Sequence, residues 1–356
     1  MKRFASRLLL LLPILVAMVL TSWFVDPDHV RDPDSYERGI AQLLLDGKGV
    51  TNISYPDEAA IMTWYFDGRA DAADVVVLGS SRTKLLRSAS FPDETFFNAS
   101  LSGGSLTDYL ALTHLMEERG QLPRRMVIEL STHLLKAEVV SVWPRFASLE
   151  GALEENLAAG APVPDPRVTR PSLASYSRFL GPDYFQLSFF TLLDSRLGGG
   201  PGREVRVFRA GDEPTGLTYL PDGSEIFPES RRKNLGSPEV TALAVAAGDA
   251  TLAIPGKIDA HRQEILEAWL AHLRAQGVEV ILYLAPYHPK TYEIMMTNQN
   301  RIVVDIQNYY VAMAHRNGYP IIGSYNPADI GITGDVFYDA THITPEALAK
   351  LFAGVK

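Results

Sequence analysis

Apolar positions along this chain fall into two patterns. Short, nearly continuous apolar runs occupy 74–79, 96–98, 125–131, 278–284 and 320–322. Runs of that kind suit strands buried on both faces of a parallel sheet. Between them lie longer segments with apolar residues at helical spacing. Ile40, Leu43 and Leu44 mark 35–45, and Leu110, His114 and Leu115 mark 106–118. Ile265, Leu266, Trp269, Leu270 and Leu273 mark 259–276, where Gly277 supplies the stop. Further helices are expected at 301–317 and at 344–352, the latter with Pro345 in its first turn. Thr83 to Arg87 reads as the opening of a helix just after the first strand. Strands alternating with helices predict an α/β fold, a mostly parallel sheet with helices on both faces.

The alternation fails over about 137–255, which reads as a large insertion. Ala161–Pro166 and Leu197–Gly202 are proline- and glycine-rich loops. Val205–Phe208 reads as a strand, and Gly216–Ile226 as a hairpin turning at Pro221-Asp222-Gly223. Tyr176, Phe179, Tyr184, Phe185, Phe189 and Phe190 cluster in the insertion. They predict an apolar cap over the functional site, with stacking on sugar rings as the alternative. Residues 50–73 show no clear period, and Trp64, Tyr65 and Phe66 are expected to pack on the main domain.

The N-terminus has its own pattern. Met1–Arg7 is basic, Leu8–Val25 carries no charge, and Asp26 ends the run. A span needs about 20 apolar residues and a signal-peptide core about 7–15. The run is nearer the span, lacks a clear small-x-small cleavage site, and carries near its end Trp23, a residue suited to a membrane interface. It predicts an N-terminal transmembrane anchor at the cytoplasmic membrane, with the folded domain on the extracytoplasmic side; a cleaved signal peptide is the rival. The expected division is therefore 1–25 anchor, 26–73 linker and extension, and 74–356 the main domain with its insertion.

Composition narrows the function. Among 356 residues there is no cysteine, which excludes thiol catalysis, disulfides and cysteine metal sites. The formal charge of −9 is interspersed and no basic patch emerges, so nucleic acid is not an expected partner. The histidines form no convincing metal cluster, and no dinucleotide or phosphate-loop glycine fingerprint is present. No cofactor or metal is expected.

Candidate chemistry sits at strand ends. Gly79-Ser80-Ser81-Arg82 closes the first strand, where free backbone N–H groups point at a ligand. A serine there needs a base to act as a nucleophile. Asp339-Ala340-Thr341-His342, just before the last helix, places a carboxylate and an imidazole on one loop. Either Ser80 or Ser81 can be the exposed hydroxyl on this reading. Arg82 suits a substrate carboxylate or a structural acid, and His288 ends the strand at 278–284, where open α/β sheets bind ligands.

The combination of Gly79-Ser80-Ser81 with Asp339-x-x-His342 resembles the SGNH (GDSL-like) hydrolase superfamily. Within it, the Gly-Ser-Ser form is similar to membrane-anchored branches, the alginate O-acetylation and DltD-type proteins. The similarity covers about 70–136 and 255–356. It implies a three-layer, SGNH/flavodoxin-like sheet and a triad of Ser81 as nucleophile, His342 as base and Asp339 as orienting acid. It also implies a glycine-loop oxyanion donor, best matched by Gly103, with Gly104 the alternative. The family's asparagine near the third strand end is missing. Ser131 or His133 would substitute, or two backbone donors would serve alone. The implied activity is a serine acyl esterase or O-acyltransferase acting on a cell-envelope or exported polysaccharide. Its partners would be an acyl donor, a glycan acceptor and a membrane acyltransferase. The alternative is a non-catalytic SGNH-like protein for glycan binding or assembly.

Overall fold

A computed structural model describes residues 12–26, 30–137, 141–167, 176–197, 205–250, 254, 256–297 and 301–354. Its strands are β1 (Gly49–Ile53), β2 (Val75–Leu78), β3 (Phe96–Asn98), β4 (Arg125–Glu129), β5 (Arg206–Phe208), β6 (Leu217–Tyr219), β7 (Glu279–Leu284) and β8 (Ile321–Gly323). Five of them form a sheet in the order β3-β2-β4-β7-β8, and every pairing in it is parallel. The chain leaves β2 for β3 on one side and then returns to β4 on the other. That reversal opens a crevice at the carboxyl ends of β2 and β4, where open sheets of this kind hold their ligands.

The period-two rule explains why both faces are covered. Val76, Leu78, Met126, Ile128, Val280 and Leu282 enter one core, together with residues of the helices Ser35–Leu45, Glu58–Gly68, Leu106–Glu118, Ala260–Ala275 and Arg301–Asn317. Val75, Val77, Val127, Ile281 and Tyr283 enter a second core with Ala347, Leu348 and Phe352 of the helix Pro345–Phe352. Helix starts carry the expected caps. Asp259 accepts from Arg262 N–H, Ser105 from Asp108 N–H, and Thr344 from Ala347 N–H.

Three local expectations change. The helix expected from Thr83 does not form. Thr83, Lys84, Leu85 and Leu86 are all buried in consecutive turns, and the first regular element is the 3-10 turn Ser88–Ser90. Asn98 Nδ2 donates to the carbonyls of Thr83 and Leu86, which a continuing helix would bond to its own N–H groups. The region without a clear period contains β1 and the helix Glu58–Gly68, capped by Asp57. Its Tyr65 does pack on the main domain, stacked on Phe97 at 3.7 Å between ring centres. Finally, β1 is the middle strand of a small antiparallel sheet, β5-β1-β6, so the extension and the insertion share one element. The hairpin at 216–226 is present, with Tyr219 bridged to Glu225.

Tyr176 and Phe179 of the insertion's aromatic cluster pack on the N-terminal helix, and Phe189 and Phe190 are exposed, instead of capping the triad. Trp23 lies 5.1 Å from Phe179 and stacks on Tyr176 at 6.2 Å. The described part of the N-terminal run is the helix Leu12–Val25. Among the described residues no helix is long and apolar enough to cross a membrane. The basic Met1–Arg7 segment and the glycines at 198–200 lie outside the described residues.

Candidate active site

β2 delivers Ser81 to the crevice through a turn braced from below. Ser80 N–H donates to Glu129 Oε2 at 2.7 Å, and Thr83 Oγ1 donates to Ser80 O at 2.9 Å. A side chain at position 79 would lie 2.0 Å from Thr83 Oγ1 and 3.0 Å from Glu129 Oε2, so only glycine fits. Ser80 is buried, and its hydroxyl accepts from Arg82 N–H. Ser81 is half-buried and faces the other way.

Across the crevice, Phe337 and Ile343 form an antiparallel bridge that closes a tight loop. Asp339 Oδ1 caps that loop by accepting from Thr341 N–H at 2.9 Å and His342 N–H at 3.0 Å. The imidazole stands between the two halves of the site. Nε2 of His342 is 2.8 Å from Ser81 Oγ, and Nδ1 is 2.8 and 2.9 Å from the two oxygens of Asp339. The carboxylate holds the proton on Nδ1 and leaves Nε2 free to accept from the serine. Burial would raise the Asp339 carboxyl. The hydrogen bond and charge of His342, the Thr341 N–H and the Arg231 guanidinium outweigh that and hold it well below the usual carboxylate range.

The glycine loop abuts the Ser81 turn. Leu101 N–H donates to Gly79 O at 3.0 Å, and a side chain at Gly104 would come within 2.5 Å of that same carbonyl. Gly103 takes a left-handed backbone, φ +68°, next to Gly104. Among the described residues neither Ser81 N–H nor Gly103 N–H has a protein partner. The loop is pinned on its other side by Lys84 and Glu58. Both are buried, Lys84 Nζ pairs with Glu58 Oε1, and Glu58 Oε2 accepts from Ser102 N–H at 2.7 Å.

Three residues singled out for substrate contact have other work. Arg82 is buried, stacks over Tyr287 at 4.2 Å, and donates to the carbonyls of Ala285 and Pro286. It ties the Ser81 turn to the end of β7. His288 is also buried, 4% exposed; its N–H donates to Ala340 O at 2.9 Å and its Nδ1 accepts from Lys290 N–H at 3.1 Å. It therefore supports the Asp339–His342 loop from behind, and burial pushes its imidazole down despite the nearby Asp339. Ser131 is buried with its hydroxyl 3.2 Å from His133 Nε2, which lies 2.8 Å from Gly104 O. The pair braces the glycine loop instead of presenting a side-chain donor in place of the missing asparagine.

The site also holds residues that the motifs do not reveal. Arg231 of the insertion donates to Asp339 Oδ2 and lies 3.1 Å from His342 Nδ1, with its guanidinium 3.7 Å over the Phe227 ring. Phe227 in turn meets the His342 ring edge-on at 5.8 Å. Glu129 is fully buried, and its Oε1 has no partner among the described residues. A charged residue inside an otherwise apolar strand run was the one local signal of its role. No protein-family model matches this chain, and no curated protein is similar to it in sequence.

Proposed function

We propose that this protein is a serine acyl esterase or O-acyltransferase of the SGNH type, with a three-layer, flavodoxin-like domain and a membrane-bound N-terminus. Its substrates on this reading are an ester-bearing acyl donor and a cell-envelope or exported polysaccharide, with a membrane acyltransferase as the partner that supplies the acyl group. The observation that carries the reading is the unbroken chain Ser81 Oγ–His342 Nε2, His342 Nδ1–Asp339, assembled from residues 261 positions apart. Nucleophile, base and orienting acid are recognised by that geometry and not by sequence order.

In the proposed reaction Ser81 Oγ attacks the ester carbonyl while its proton passes to His342 Nε2. The new C–O bond makes a tetrahedral oxyanion, received by the N–H groups of Ser81 and Gly103. Collapse breaks the bond to the alcohol, which takes the proton from His342 and leaves an acyl-serine. Water or a sugar hydroxyl then gives its proton to His342 and attacks the acyl-serine. Collapse returns the proton to Ser81, with release of acid or acylated glycan. Arg82 and His288 serve the geometry of the two loops and not the substrate.

The non-catalytic alternative draws on the missing strand-end donor, because an oxyanion hole lacking one donor typically loses about 10²–10³ in rate. One experiment separates the two. The full chain is treated with a fluorophosphonate probe and assayed for acetyl release from a small activated ester, beside Ser81→Ala and His342→Ala. Labelling and turnover confined to the wild type support the enzyme. No labelling and equal background rates in all three proteins favour the binding protein.

A further inference from the structure

The insertion carries a helix, Pro182–Leu197, that packs against the N-terminal helix Leu12–Val25. Both are built inside out for a helix in water. Ser22 and Ser188 are completely buried. Leu187, Phe190 and Leu193 on one helix, and Leu15, Leu20 and Phe24 on the other, are 41% to 72% exposed. A water-facing helix turns its apolar stripe to the core and its polar face outward. Small polar seams with large apolar outer faces are the pattern of helices that associate in lipid.

The polar end of the pair is equally specific. Asp26 Oδ1 accepts from Tyr184 Oη at 2.7 Å and from Val30 N–H at 2.9 Å, and its Oδ2 accepts from Arg31. Ser22 lies one turn before Asp26, and Ser188 one turn after Tyr184, so the two helices run antiparallel away from that bond. Around it Arg31 sits 5.3 Å over Trp23 and Arg178 4.9 Å over Tyr184. Tryptophan, tyrosine and arginine gathered at one end, with aliphatic and phenyl groups beyond, match the boundary between headgroups and acyl chains. The uncharged stretch Tyr184–Leu193 extends about 15 Å at 1.5 Å per residue. That is one leaflet of a hydrocarbon core of about 30 Å.

We propose that the helix pair is a lipid-facing surface, in which the uncharged stretch Tyr184–Leu193 turns its exposed apolar face to the acyl chains of one leaflet beside the N-terminal helix, and Asp194 and Arg196 stay outside the lipid contact. Acyl chains are the occupant of its exposed face. The insertion thereby gives the domain a second membrane contact and fixes its orientation on the bilayer. This inference rests on the membrane-bound N-terminus of the proposed function and uses none of its acyl-transfer residues.

The chain lacks cysteine, so single cysteines can be placed without a background. Full-length Leu193→Cys and Phe190→Cys, with Asp249→Cys on an exposed helix end as control, carry an environment-sensitive fluorophore. Each is reconstituted in phosphatidylethanolamine/phosphatidylglycerol vesicles, with native folding checked by near-ultraviolet circular dichroism. The expected result is quenching by bromine-labelled acyl chains at 190 and 193, several-fold stronger than at 249, with emission shifted to the blue. Equal quenching at 193 and 249 overturns the proposal. So does protection of position 193 from aqueous iodide without quenching by lipid, since a protein surface would then cover the helix.

Discussion

Arg231 donates to Oδ2 of Asp339, the same carboxylate that orients His342. The guanidinium comes from the inserted segment, so the insertion is part of the site and not only an appendage to it. Its position over Phe227 leaves it 36% exposed, within reach of solvent but held by the ring and the carboxylate. Replacing Arg231 with Gln removes one of the donors that fix the Asp339 rotamer, while the Thr341 and His342 N–H groups remain. The expected loss in kcat/KM on a small ester is about 10- to 100-fold, the range in which slight misplacement of a reacting group acts. Arg231→Lys keeps the charge without the planar fork and restores the rate in part. Unchanged kcat/KM in Arg231→Gln would reduce this contact to an ordinary surface pair.

Asp339→Asn tests the tautomer argument. A carboxamide can present its NH2 group to Nδ1, which favours the proton on Nε2 and removes the base from Ser81. The expected loss in kcat is about 10⁴-fold. The protein should keep its fold, since the amide oxygen can still accept from the Thr341 and His342 N–H groups. Steady-state turnover measured beside the thermal midpoint separates a chemical loss from unfolding. A rate near wild type would show that Asp339 does not control the imidazole.

The Ser81–His342–Asp339 arrangement was legible because its signals are local. A β-branched run ending in Gly79-Ser80-Ser81, and a carboxylate three residues before an imidazole, each lie within one short stretch. The residues alone left Ser80 and Ser81 open and the motif resemblance named Ser81; in the turn Ser80 is buried and Ser81 Oγ meets His342 Nε2. Arg231 was hidden in a run of three cations. Its neighbours pair at the surface, Arg232 with Glu213 at 2.7 Å and Lys233 with Glu229 at 2.8 Å, and only Arg231 turns inward. Nothing in a charge run says which member faces a site on a segment more than 100 residues later. The small sheet was hidden for the same reason, since β1 meets β5 and β6 only after the chain has built most of the parallel sheet. Arg82 and His288 were placed at the right strand ends, yet position alone could not tell a side chain that faces substrate from one that holds the loops together.

Two of the supporting histidines predict a stability change in mild acid. Burial lowers His133, against its bond to Gly104 O and the charge of Glu129, and burial lowers His288 against the charge of Asp339. Both therefore bind protons more readily unfolded than folded. Their contribution is present above the unfolded value, about 6.5, and is lost as pH falls through the folded values. Asp339 adds nothing in this window, because its carboxyl titrates far lower. The thermal midpoint of the wild type should fall between pH 7.5 and 5. The double variant His133→Gln/His288→Asn should show a shallower fall, whatever its midpoint at pH 7.5. Parallel curves would place the acid sensitivity elsewhere.

The buried pair Lys84–Glu58 links stability to the site, because Glu58 also holds Ser102, the residue before Gly103. Lys84→Met leaves the Glu58 carboxyl, whose side chain is 5% exposed, without its cation. Breaking a buried pair from one side typically costs about 3–5 kcal/mol. Lys84→Met/Glu58→Gln removes both charges and keeps an acceptor for Ser102 N–H, but leaves Glu225, 4.0 Å from Lys84 Nζ, without that cation, so part of that loss should return in urea unfolding. The two variants differ in what they do to the glycine loop. With Glu58 uncompensated, carboxylate and loop shift toward solvent together, and turnover falls even in the folded fraction. With glutamine at 58 the loop keeps its anchor and turnover per folded molecule approaches wild type. If the double variant regains stability but not turnover, the charge on Lys84 acts on the site directly, and the loop anchor is not what the pair supplies.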